Sequence, residues 1–370
     1  MKAFTCFLAS VVLALTSGVF ADDNSDSTIP NFNDGPHVYW HDDSTVTILY
    51  YCNETVDSQT VTIGTALSFG GFCDDSLTEY LITTGDRPAE TQIVEGASRI
   101  MALSDIHGEY EYLVDILQKS GAIDENLRWS WGDGHLVIDG DIFDRGDMVT
   151  ECLWLVYGLQ QQARAAEGEV HFVLGNHELM VMRGDNRYVN DKYIEGICRK
   201  TRIKHEDLFG PDMELGRWLR RQPTLLKIND ILFVHGGISP SLLNRSLDIA
   251  AINDETCRGF DLRSSQLAFD QPARFLFGGE GPFWYRGFHY AMDDDYAMAT
   301  PDGIDSILSY FGVSAVVVGH TQVDSVMGLF ENRVFAIDVP FEDIYSLEAL
   351  LWEDGKFFRV SGSGEKMLLK

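Results

Sequence analysis

Basic residues are scarce in this chain of 370 residues, which has 28 Lys and Arg against 57 Asp and Glu and a formal net charge of −29. The acidic residues are dispersed rather than grouped in long blocks, which is typical of a well-solvated surface. A chain with so few cations does not favour a nucleic-acid backbone as its partner. It also disfavours a long anionic substrate, unless cations gathered at one site overcome the field.

Cysteine is sparse as well, with 6 residues and no closely spaced CxxC pair, so the thiols do not predict a metal site. We predict a disulfide between Cys52 and Cys73, because both lie in a short β-patterned region. Cys198 with Cys257 is a second candidate pair. Cys152 falls on a predicted helix and is expected to be buried.

Long apolar runs are missing after residue 21, so no later segment predicts a membrane span. In the first 21 residues, Lys2 precedes an apolar stretch. The segment ends in Val19-Phe20-Ala21, which has small residues at the two positions that a signal peptidase recognises. We therefore expect residues 1–21 to be a cleaved export signal and the mature protein to be periplasmic or secreted. An uncleaved anchor is disfavoured by the weak apolarity around residues 16–18.

The hydrophobic pattern divides the rest of the chain into two parts. Residues 22–97 contain short alternating runs such as Thr45 to Tyr51, which favour strands and predict a small β-rich appendage. In residues 98–370, apolar runs alternate with helical segments, which predicts a layered α/β domain. The clearest pairs are strand 99–104 with helix 110–119, strand 135–139 with helix 149–166, and strand 169–174 with a helix from 177.

A long stretch inside the second part, residues 241–300, has no clear period and is rich in aromatic residues, Gly and Asp. We expect it to be an irregular excursion between core strands. Excursions of this length often shape the mouth of a site.

Five apolar runs of the second part end on residues of the kind that bind metal ions. Runs of this length bounded by glycine are typical of strands buried on both faces, and chemistry collects just beyond the carboxyl ends of such strands. Convergence of Asp, His and Asn at these ends predicts a metal site. The endings are Ser104-Asp105-Ile106-His107, Gly140-Asp141-Ile142-Phe143-Asp144-Arg145-Gly146, Gly175-Asn176-His177-Glu178, His235-Gly236-Gly237 and Gly319-His320-Thr321.

The candidate ligands mix oxygen and nitrogen donors, a set that suits Mn, Fe or Zn and disfavours Mg or Ca. Asp141 offers two carboxylate oxygens, enough to bridge two divalent ions. Two adjacent ions can hold a hydroxide between them and clamp both the attacking and leaving oxygens of a phosphoryl displacement. The predicted ligands are Asp105, His107, Asp141, Asn176, His235 and His320.

Neighbouring residues fit the same reaction. His177 follows a predicted ligand and is placed to donate a proton to the leaving alkoxide or phenoxide. Asp144 could hold that imidazole in the right tautomer and keep it charged. Arg145 has the forked guanidinium that binds two phosphate oxygens. Glu178 is expected to be structural, accepting hydrogen bonds from nearby backbone groups.

With these motifs, the sequence resembles the calcineurin-like metallophosphoesterases, in particular the phosphoprotein phosphatase branch and the Shewanella-like phosphatases within it. The resemblance covers roughly residues 98–340 and implies a central β-sandwich flanked by helices. It implies that Asp105, His107 and Asp141 hold one metal ion, and that Asp141, Asn176, His235 and His320 hold the other. It also implies that His177 is the general acid with Asp144 as its partner.

Two positions depart from the family pattern. Position 322 is Gln, whereas many broader metallophosphoesterases have a second His there, and this favours phosphomonoesters as substrates. The second phosphate-binding arginine is not fixed by a strong motif. We choose Arg286, in Gly281 to Gly287, with Arg183 and Arg187 as the rivals.

The function that follows is a metal-dependent phosphatase acting on phosphomonoesters. Phosphotyrosine or phosphoserine/threonine in proteins and small aryl or alkyl phosphates are the substrate classes left open. A phosphodiesterase or dinucleotide polyphosphate hydrolase is the alternative. A non-catalytic binding protein on the same fold would need a broken ligand set, and the sequence shows no gap. Metal identities, the role of residues 22–97 and the oligomeric state are not predicted.

Overall fold

Strands of two large sheets and several helices alternate along the chain. The computed structural model describes residues 32–70, 73, 79–85, 89–262, 265–268, 271–291, 296–340 and 347–370, so the predicted export signal lies outside the described residues. The strands, in chain order, are β1 (Asp34–Trp40), β2 (Thr45–Cys52), β3 (Thr55–Thr62), β4 (Ala66–Gly70), β5 (Glu79–Thr83), β6 (Ile93–Val94), β7 (Arg99–Leu103), β8 (His135–Asp139), β9 (Glu169–Val173), β10 (Leu225–Ile228), β11 (Ile231–Val234), β12 (Ala315–Val318), β13 (Met327–Leu329), β14 (Val334–Ala336), β15 (Glu348–Glu353), β16 (Lys356–Ser361) and β17 (Lys366–Leu368).

The helices include two long ones that follow β7 and β8, as the sequence predicts. A π-helical turn at Ile194–Cys198 and a 3₁₀ segment at His205–Phe209 interrupt the polar stretch after β9. The α-helices are α1 (Tyr110–Lys119), α2 (Val149–Ala165), α3 (Asn176–Met182), α4 (Asp191–Tyr193), α5 (Arg199–Thr201), α6 (Glu214–Leu219), α7 (Pro240–Leu243), α8 (Ile249–Gly259), α9 (Pro272–Leu276) and α10 (Pro301–Phe311).

Two six-stranded sheets face one another. The first has the order β17-β16-β15-β7-β8-β9, and the second has the order β13-β14-β12-β11-β10-β6. Strands β7, β8 and β9 run parallel, as do β11, β12 and β14 in the second sheet. Apolar side chains from both sheets, among them Ala102, Val137, Phe233 and Val317, form one buried cluster between them.

Successive side chains along a strand point to opposite faces of the sheet, so those that do not face the other sheet face the helices. Met101, Leu136 and Phe172 leave the first sheet on its outer face and pack with residues of α1 and α2. Val234 and Val316 leave the second sheet on its outer face and pack with residues of α8 and α10. The order of layers is helix, sheet, sheet, helix, so the predicted β-sandwich flanked by helices is confirmed.

The N-terminal strands form a three-stranded antiparallel sheet, β1-β2-β3, and a hairpin, β4-β5. Their apolar side chains join the core that covers the first large sheet. Polar contacts add to this packing: Trp154 of α2 donates a hydrogen bond to the Pro36 carbonyl at 2.8 Å, and Trp40 donates one to the Glu214 carboxylate at 2.7 Å. Residues from Asn31 to Lys370 belong to one compact unit.

The structure shows which of the predicted disulfides form. Cys52 and Cys73 form a disulfide, with their Cα atoms 5.3 Å apart, so that prediction is confirmed. Cys152 is free and buried, as expected. The pairing of Cys198 with Cys257 is wrong, because both are free thiols. Among the described residues, no helix is both long and apolar enough to cross a membrane.

Candidate metal centre

The five predicted strand endings meet at one edge of the sandwich. Backbone hydrogen bonds join them: the Asp105 N–H donates to the Gly140 carbonyl at 3.1 Å, and the Gly319 N–H donates to the His235 carbonyl at 2.9 Å. The second bond joins the endings of β11 and β12. The His320 N–H donates to the Asp105 carboxylate at 2.9 Å, which connects the two sheets. Residues far apart in sequence therefore lie within one small volume.

The backbone at this edge is strained in several places. Asp105, His107, Asp141 and His320 have positive φ values of 55°, 48°, 57° and 63°, which non-glycine residues rarely adopt. Such conformations cost free energy and persist where the surrounding structure holds them, often at functional sites. Here they turn the chain sharply after β7, β8 and β12, where three of the five strand endings meet.

Gly140 shows how closely these turns pack. Its φ is +83°, and a Cβ added there would lie 2.7 Å from the Gly175 backbone and 2.7 Å from Nδ1 of His235. A side chain at this position would push apart the endings of β8, β9 and β11. Glycine is therefore required at this turn.

One part of the site is formed by Asp105, His107 and Asp141. His107 Nε2 lies 3.8 Å from the Asp105 carboxylate and 4.0 Å from the Asp141 carboxylate. Its Nδ1 donates to the Phe143 carbonyl at 2.8 Å, which leaves Nε2 as a bare acceptor in the neutral ring. This Nε2 is buried and has no hydrogen-bond partner among the described residues. A buried, unpartnered imidazole nitrogen facing two carboxylates fits a metal ligand.

The other part is formed by Asp141, Asn176, His235 and His320. His235 Nε2 lies 3.1 Å from the Asp141 carboxylate and 3.0 Å from the Asn176 side-chain oxygen. His235 Nδ1 donates to the Asp139 carbonyl at 2.7 Å, which leaves Nε2 to face the Asp141 and Asn176 oxygens. His320 Nε2 is buried and unpartnered within the described part of the chain. Ligand atoms of Asp141, His235 and His320 lie within 4.8 Å of one another.

The charges of the protein groups favour a cation here. Burial alone raises the pKa of Asp141, but His235, His177 and His107 outweigh it and lower that pKa well below its ordinary value. Burial lowers the pKa of His235, yet Asp141 and Asp105 raise it well above its ordinary value. The carboxylates thus draw a proton to His235. A divalent ion would supply the same positive charge, release that proton and use the nitrogen as a ligand.

Two acidic residues that the sequence analysis did not single out lie close to the candidate ligands. Asp139, the last residue of β8, is fully buried, and its carboxyl oxygens have no hydrogen-bond partner among the described residues. Asp338 follows β14 at the same edge. Burial is the main cause that raises the pKa of each carboxyl to about 8; Asp105 and Asp141 raise that pKa further, and His235 only partly offsets them. The sequence signals that could have found them are the run Asp139-Gly140-Asp141 and the position of Asp338 shortly after the apolar strand β14.

His177 and Asp144 form a buried pair beside the ligands. His177 Nδ1 and an Asp144 oxygen are 2.6 Å apart, and His177 Nε2 is 3.9 Å from the Asp141 carboxylate. Burial lowers the pKa of His177, but Asp141 and Asp144 more than offset it, so the net pKa is raised. The imidazole therefore presents a protonated Nε2 towards the site.

The two predicted phosphate-binding arginines differ in their surroundings. Arg145 is exposed, has a positive φ of 66°, and lies close enough to His107 and His177 for its charge to oppose protonation of both rings. Arg286 is half-buried and donates hydrogen bonds to the His320 carbonyl and, at 3.2 Å, to the Thr321 hydroxyl. The structure thus places Arg286 against a ligand-bearing turn.

The rival arginines have partners of their own. Arg183 donates to the Gly259 carbonyl at 2.9 Å and lies over the Phe277 ring, and Arg187 is ion-paired with Asp185. Between Arg187 and the site lies Tyr188, whose side chain is 49% exposed and whose ring centroid is 5.5 Å from that of His177. Trp284 lies against His320 with centroids 5.7 Å apart. Aromatic rings thus border both sides of the centre.

Glu178 supports the turn after β8. Its carboxylate accepts hydrogen bonds from the backbone N–H groups of Asp141 at 2.9 Å, Ile142 at 2.8 Å, Phe143 at 3.2 Å and Gly175 at 2.8 Å. The prediction that Glu178 has a structural role with nearby backbone groups is confirmed.

Comparison with known proteins agrees with this geometry. The family model of the calcineurin-like phosphoesterases matches residues 98–324, and the chain belongs to that family. It is a hydrolase of the phosphoesterase/phosphatase class, as its relatives are. Members of this family use divalent metal ions, and the donor set described above fits them.

Two curated relatives are protein phosphatases by name. Shewanella-like protein phosphatase 1 of Plasmodium berghei is 30% identical over 243 residues, which are 65% of this chain and 66% of that protein. Shewanella-like protein phosphatase 2 of Arabidopsis thaliana is 27% identical over 289 residues, 66% of this chain and 72% of that protein. The matches therefore span about two thirds to three quarters of these relatives.

A solved structure is similar over nearly the whole chain. The cold-active protein-tyrosine phosphatase of a psychrophilic Shewanella species has a TM-score of 0.82 and 36% identity, covering 92% of this chain and all of that one. The symmetrical bis(5′-nucleosyl)-tetraphosphatase of Mannheimia succiniciproducens is also related, at 33% identity over 287 residues, 69% of this chain and 94% of that protein.

Proposed function

We propose that this protein is a phosphomonoesterase that uses two divalent metal ions, of the Mn, Fe or Zn type, and prefers phosphotyrosine over phosphoserine or phosphothreonine. The observation that carries the proposal is the placement of Asp141 between two sets of ligand atoms, in which His107 Nε2 and His320 Nε2 have no hydrogen-bond partner among the described residues. When bound there, two ions would supply Lewis-acid stabilisation and a nucleophile derived from water at neutral pH. Asp105 and His107 would complete one ion's ligands, and Asn176, His235 and His320 the other's.

Protein groups around the centre would perform the remaining steps. Arg145 and Arg286 carry forked cations that suit two-point binding of phosphate oxygens, and in a chain of net charge −29 they supply local attraction for an anion. His177 would give its Nε2 proton to the departing oxygen, and Asp144, 2.6 Å from Nδ1, would keep the ring oriented and charged.

Support for an aromatic leaving group comes from the rings that border the site. Tyr188 beside His177 and Trp284 beside His320 offer apolar surface on which a phenol ring can stack. The related Shewanella enzyme is named a protein-tyrosine phosphatase. A phosphotyrosine side chain is long enough to bring its phosphate to a centre recessed between such rings, whereas phosphoserine is shorter.

A substrate comparison tests this choice. Rates should be measured on a phosphotyrosine peptide, the matched phosphoserine peptide, an aryl phosphate and its bis-aryl diester. We expect kcat/KM to be highest for the phosphotyrosine peptide and negligible for the diester. The Asp141→Asn variant is the low-activity control. If it kept wild-type turnover and metal content, Asp141 would not bridge two metal ions.

Dinucleoside tetraphosphate hydrolysis is the second candidate, and the Mannheimia relative supports it. It fits the chain less well, because a dinucleotide with four phosphates carries a large negative charge into a strongly acidic protein. Diadenosine tetraphosphate should therefore be included in the comparison. A kcat/KM above that for the phosphotyrosine peptide would overturn the preferred substrate.

We further propose that the protein acts outside the cytoplasm, in the periplasm or as a secreted enzyme, on phosphorylated proteins or small phosphomonoesters. The sequence of residues 1–21 supports export, and the Cys52–Cys73 disulfide suits an oxidising compartment. N-terminal sequencing of protein recovered from the exported fraction should begin at Asp22. Full-length protein confined to the cytoplasmic fraction would contradict the proposal.

A further inference from the structure

A separate group of side chains, of the kinds that bind metal ions, lies at the amino-terminal ends of β8 and β9, away from the candidate metal centre. His135 is the first residue of β8, Glu169 is the first residue of β9, and the two are directly paired across the strands. His171 follows Glu169 by two residues and so lies on the same face of the sheet. At about 3.3 Å per residue, the six residues from His135 to Asp141 place this group roughly 20 Å from the catalytic centre.

The ligand atoms are close enough to share one ion. His135 Nδ1 lies 3.1 Å from His171 Nε2, and His171 Nε2 lies 3.7 Å from a Glu169 oxygen. Ligands bound at about 2.0–2.2 Å in a tetrahedron lie roughly 3.2–3.6 Å apart. The observed separations therefore need only a small adjustment of side chains to surround an ion.

The type of ligand points to a particular class of metal. Two imidazole nitrogens and one carboxylate oxygen form a set that zinc accepts with a water molecule as its fourth ligand. His171 is 5% exposed, whereas His135 and Glu169 are half-buried, so an ion held there would keep one side open to solvent. Calcium and magnesium prefer oxygen ligands and do not suit two imidazoles.

Nearby charges do not block a cation. Arg164 lies 3.9 Å from Glu169, but it is also ion-paired with Glu90. Asp133 lies near enough to His135 to act on its charge, although burial outweighs this and lowers the pKa of His135. Burial, with His135 and Arg164, lowers the pKa of His171 to about 3. At neutral pH both rings are uncharged.

We propose that His135, Glu169 and His171 form a metal site distinct from the catalytic centre, which binds one zinc-class divalent ion. The ion joins the start of β8 to the start of β9, the edge strand of its sheet. It thereby stabilises the two strands that lead, at their carboxyl ends, into the turns bearing Asp141 and Asn176. A hydrogen bond between the two imidazoles is the alternative arrangement, and it requires no metal.

Zinc content and thermal stability distinguish the two arrangements. The purified full chain, stripped with a chelator and dialysed against the same free zinc concentration, high enough to fill all sites, should retain one more equivalent per chain than the His135→Asn and Glu169→Gln variants. Zinc should raise the Tm of the wild type more than that of either variant, because an ion that binds only the folded state stabilises it. His41→Asn, which changes an exposed histidine elsewhere, is the matched control and should behave as wild type.

Crystals soaked in zinc give a direct answer. An anomalous peak between His135 Nδ1, His171 Nε2 and the Glu169 carboxylate is expected in the wild type and should be missing in Glu169→Gln. Equal zinc content in the wild type and both variants, or no anomalous density between these atoms, would overturn the proposal. Circular dichroism and retained phosphatase activity show that a variant has folded, and neither variant touches the catalytic ligands.

Discussion

The His177 imidazole and the Asp144 carboxylate are 2.6 Å apart, and both side chains are buried beside Asp141. A carboxylate that accepts from Nδ1 leaves Nε2 as the proton donor facing the site. In the proposed mechanism, His177 transfers the proton and Asp144 positions the ring. The pairing with Asp144 also gives His177 surroundings different from those of its neighbour Asn176, a predicted ligand.

His177→Asn should lower turnover by roughly 10²–10⁴-fold, the usual loss for a general acid, while metal content stays unchanged. The loss should be large for an alkyl phosphate and small for a nitrophenyl phosphate, whose leaving group needs no proton. Steady-state rates on the two esters measure this. Equal losses on both would show that His177 is not the acid.

Asp144→Asn should reduce turnover on the alkyl phosphate because the ring loses its charged partner. If Asp144 acts through His177, the double variant Asp144→Asn/His177→Asn should be no slower than His177→Asn alone. A double-mutant cycle on kcat measures the coupling. Fully additive losses would mean that Asp144 acts on the substrate or the metal ions by another route.

Glu178→Gln should weaken both the fold and the metal site. The amide supplies one acceptor oxygen where the carboxylate accepts four backbone hydrogen bonds, so buried N–H groups lose partners, at a cost of about 1–3 kcal/mol. Metal affinity should fall about 10–100-fold, as for other groups that support ligands. Denaturant unfolding and chelator competition measure the two effects. Unchanged metal affinity would contradict a role in placing Asp141.

Arg286→Gln should lower kcat/KM about 10–100-fold, which corresponds to about 1.5–3 kcal/mol for a lost hydrogen bond to a charged group. Arg187→Gln, which removes an exposed arginine paired with Asp185, should leave kcat/KM unchanged. Kinetics on one aryl phosphate compares the two variants. A larger loss of kcat/KM in Arg187→Gln than in Arg286→Gln would show that Arg187 is the second phosphate-binding arginine.

Asp34 provides a prediction about pH and stability. It accepts one hydrogen bond from the Thr150 hydroxyl at 2.8 Å, which ties β1 to α2, and it lies 3.0 Å from His37. Burial raises its pKa, but His37, Lys192 and Thr150 together lower it below the ordinary value. Because the folded pKa is depressed, this stabilisation is complete above the unfolded pKa of about 3.9 and is lost as pH falls through the folded pKa.

Asp34→Asn should therefore destabilise the protein at pH 7, by about 1–3 kcal/mol for the lost charged hydrogen bonds. The gap to the wild type should narrow as the pH falls below about 4. Denaturant titrations at both pH values give the two free energies of unfolding, with the exposed Asp43→Asn as control. If the difference in the free energy of unfolding grew as the pH fell, the pKa of Asp34 in the folded protein would be raised rather than lowered.

Much of the fold could be predicted from the sequence because its signals are local. The strand ending in Asp139 and helix α1 have the predicted bounds, and α2 differs from prediction by one residue at its end. Each combines a clear apolar period with glycine or polar boundaries. The division of the parallel strands between two facing sheets depends on contacts distant in sequence, and only the family resemblance supplied it.

Helix α8 was missed, since residues 241–300 were expected to be irregular. The helix begins after Asp248, whose side chain accepts a hydrogen bond from the Ala251 N–H at 2.8 Å, and it buries Ile249 and Ile252 against the second sheet. Polar residues in the middle of the helix hide its short apolar stripe. The N-cap was a signal that could have found it.

The candidate ligands could be predicted because each is an Asp, His or Asn residue in the short segment that follows an apolar strand. Asp139 and Asp338 were not, because a single acidic residue at a strand end has many ordinary explanations. The proposed zinc site was missed for a related reason. Its three residues come from two strands, and their closeness depends on the register that pairs His135 with Glu169.

The most direct test of the account is anomalous diffraction from crystals of protein loaded with manganese. Two peaks should flank the Asp141 carboxylate, about 3.5–4 Å apart, one beside His107 and the other beside His235 and His320. A map with no peak at Asp141, or with His320 turned away from the other ligands, would contradict a two-metal phosphatase.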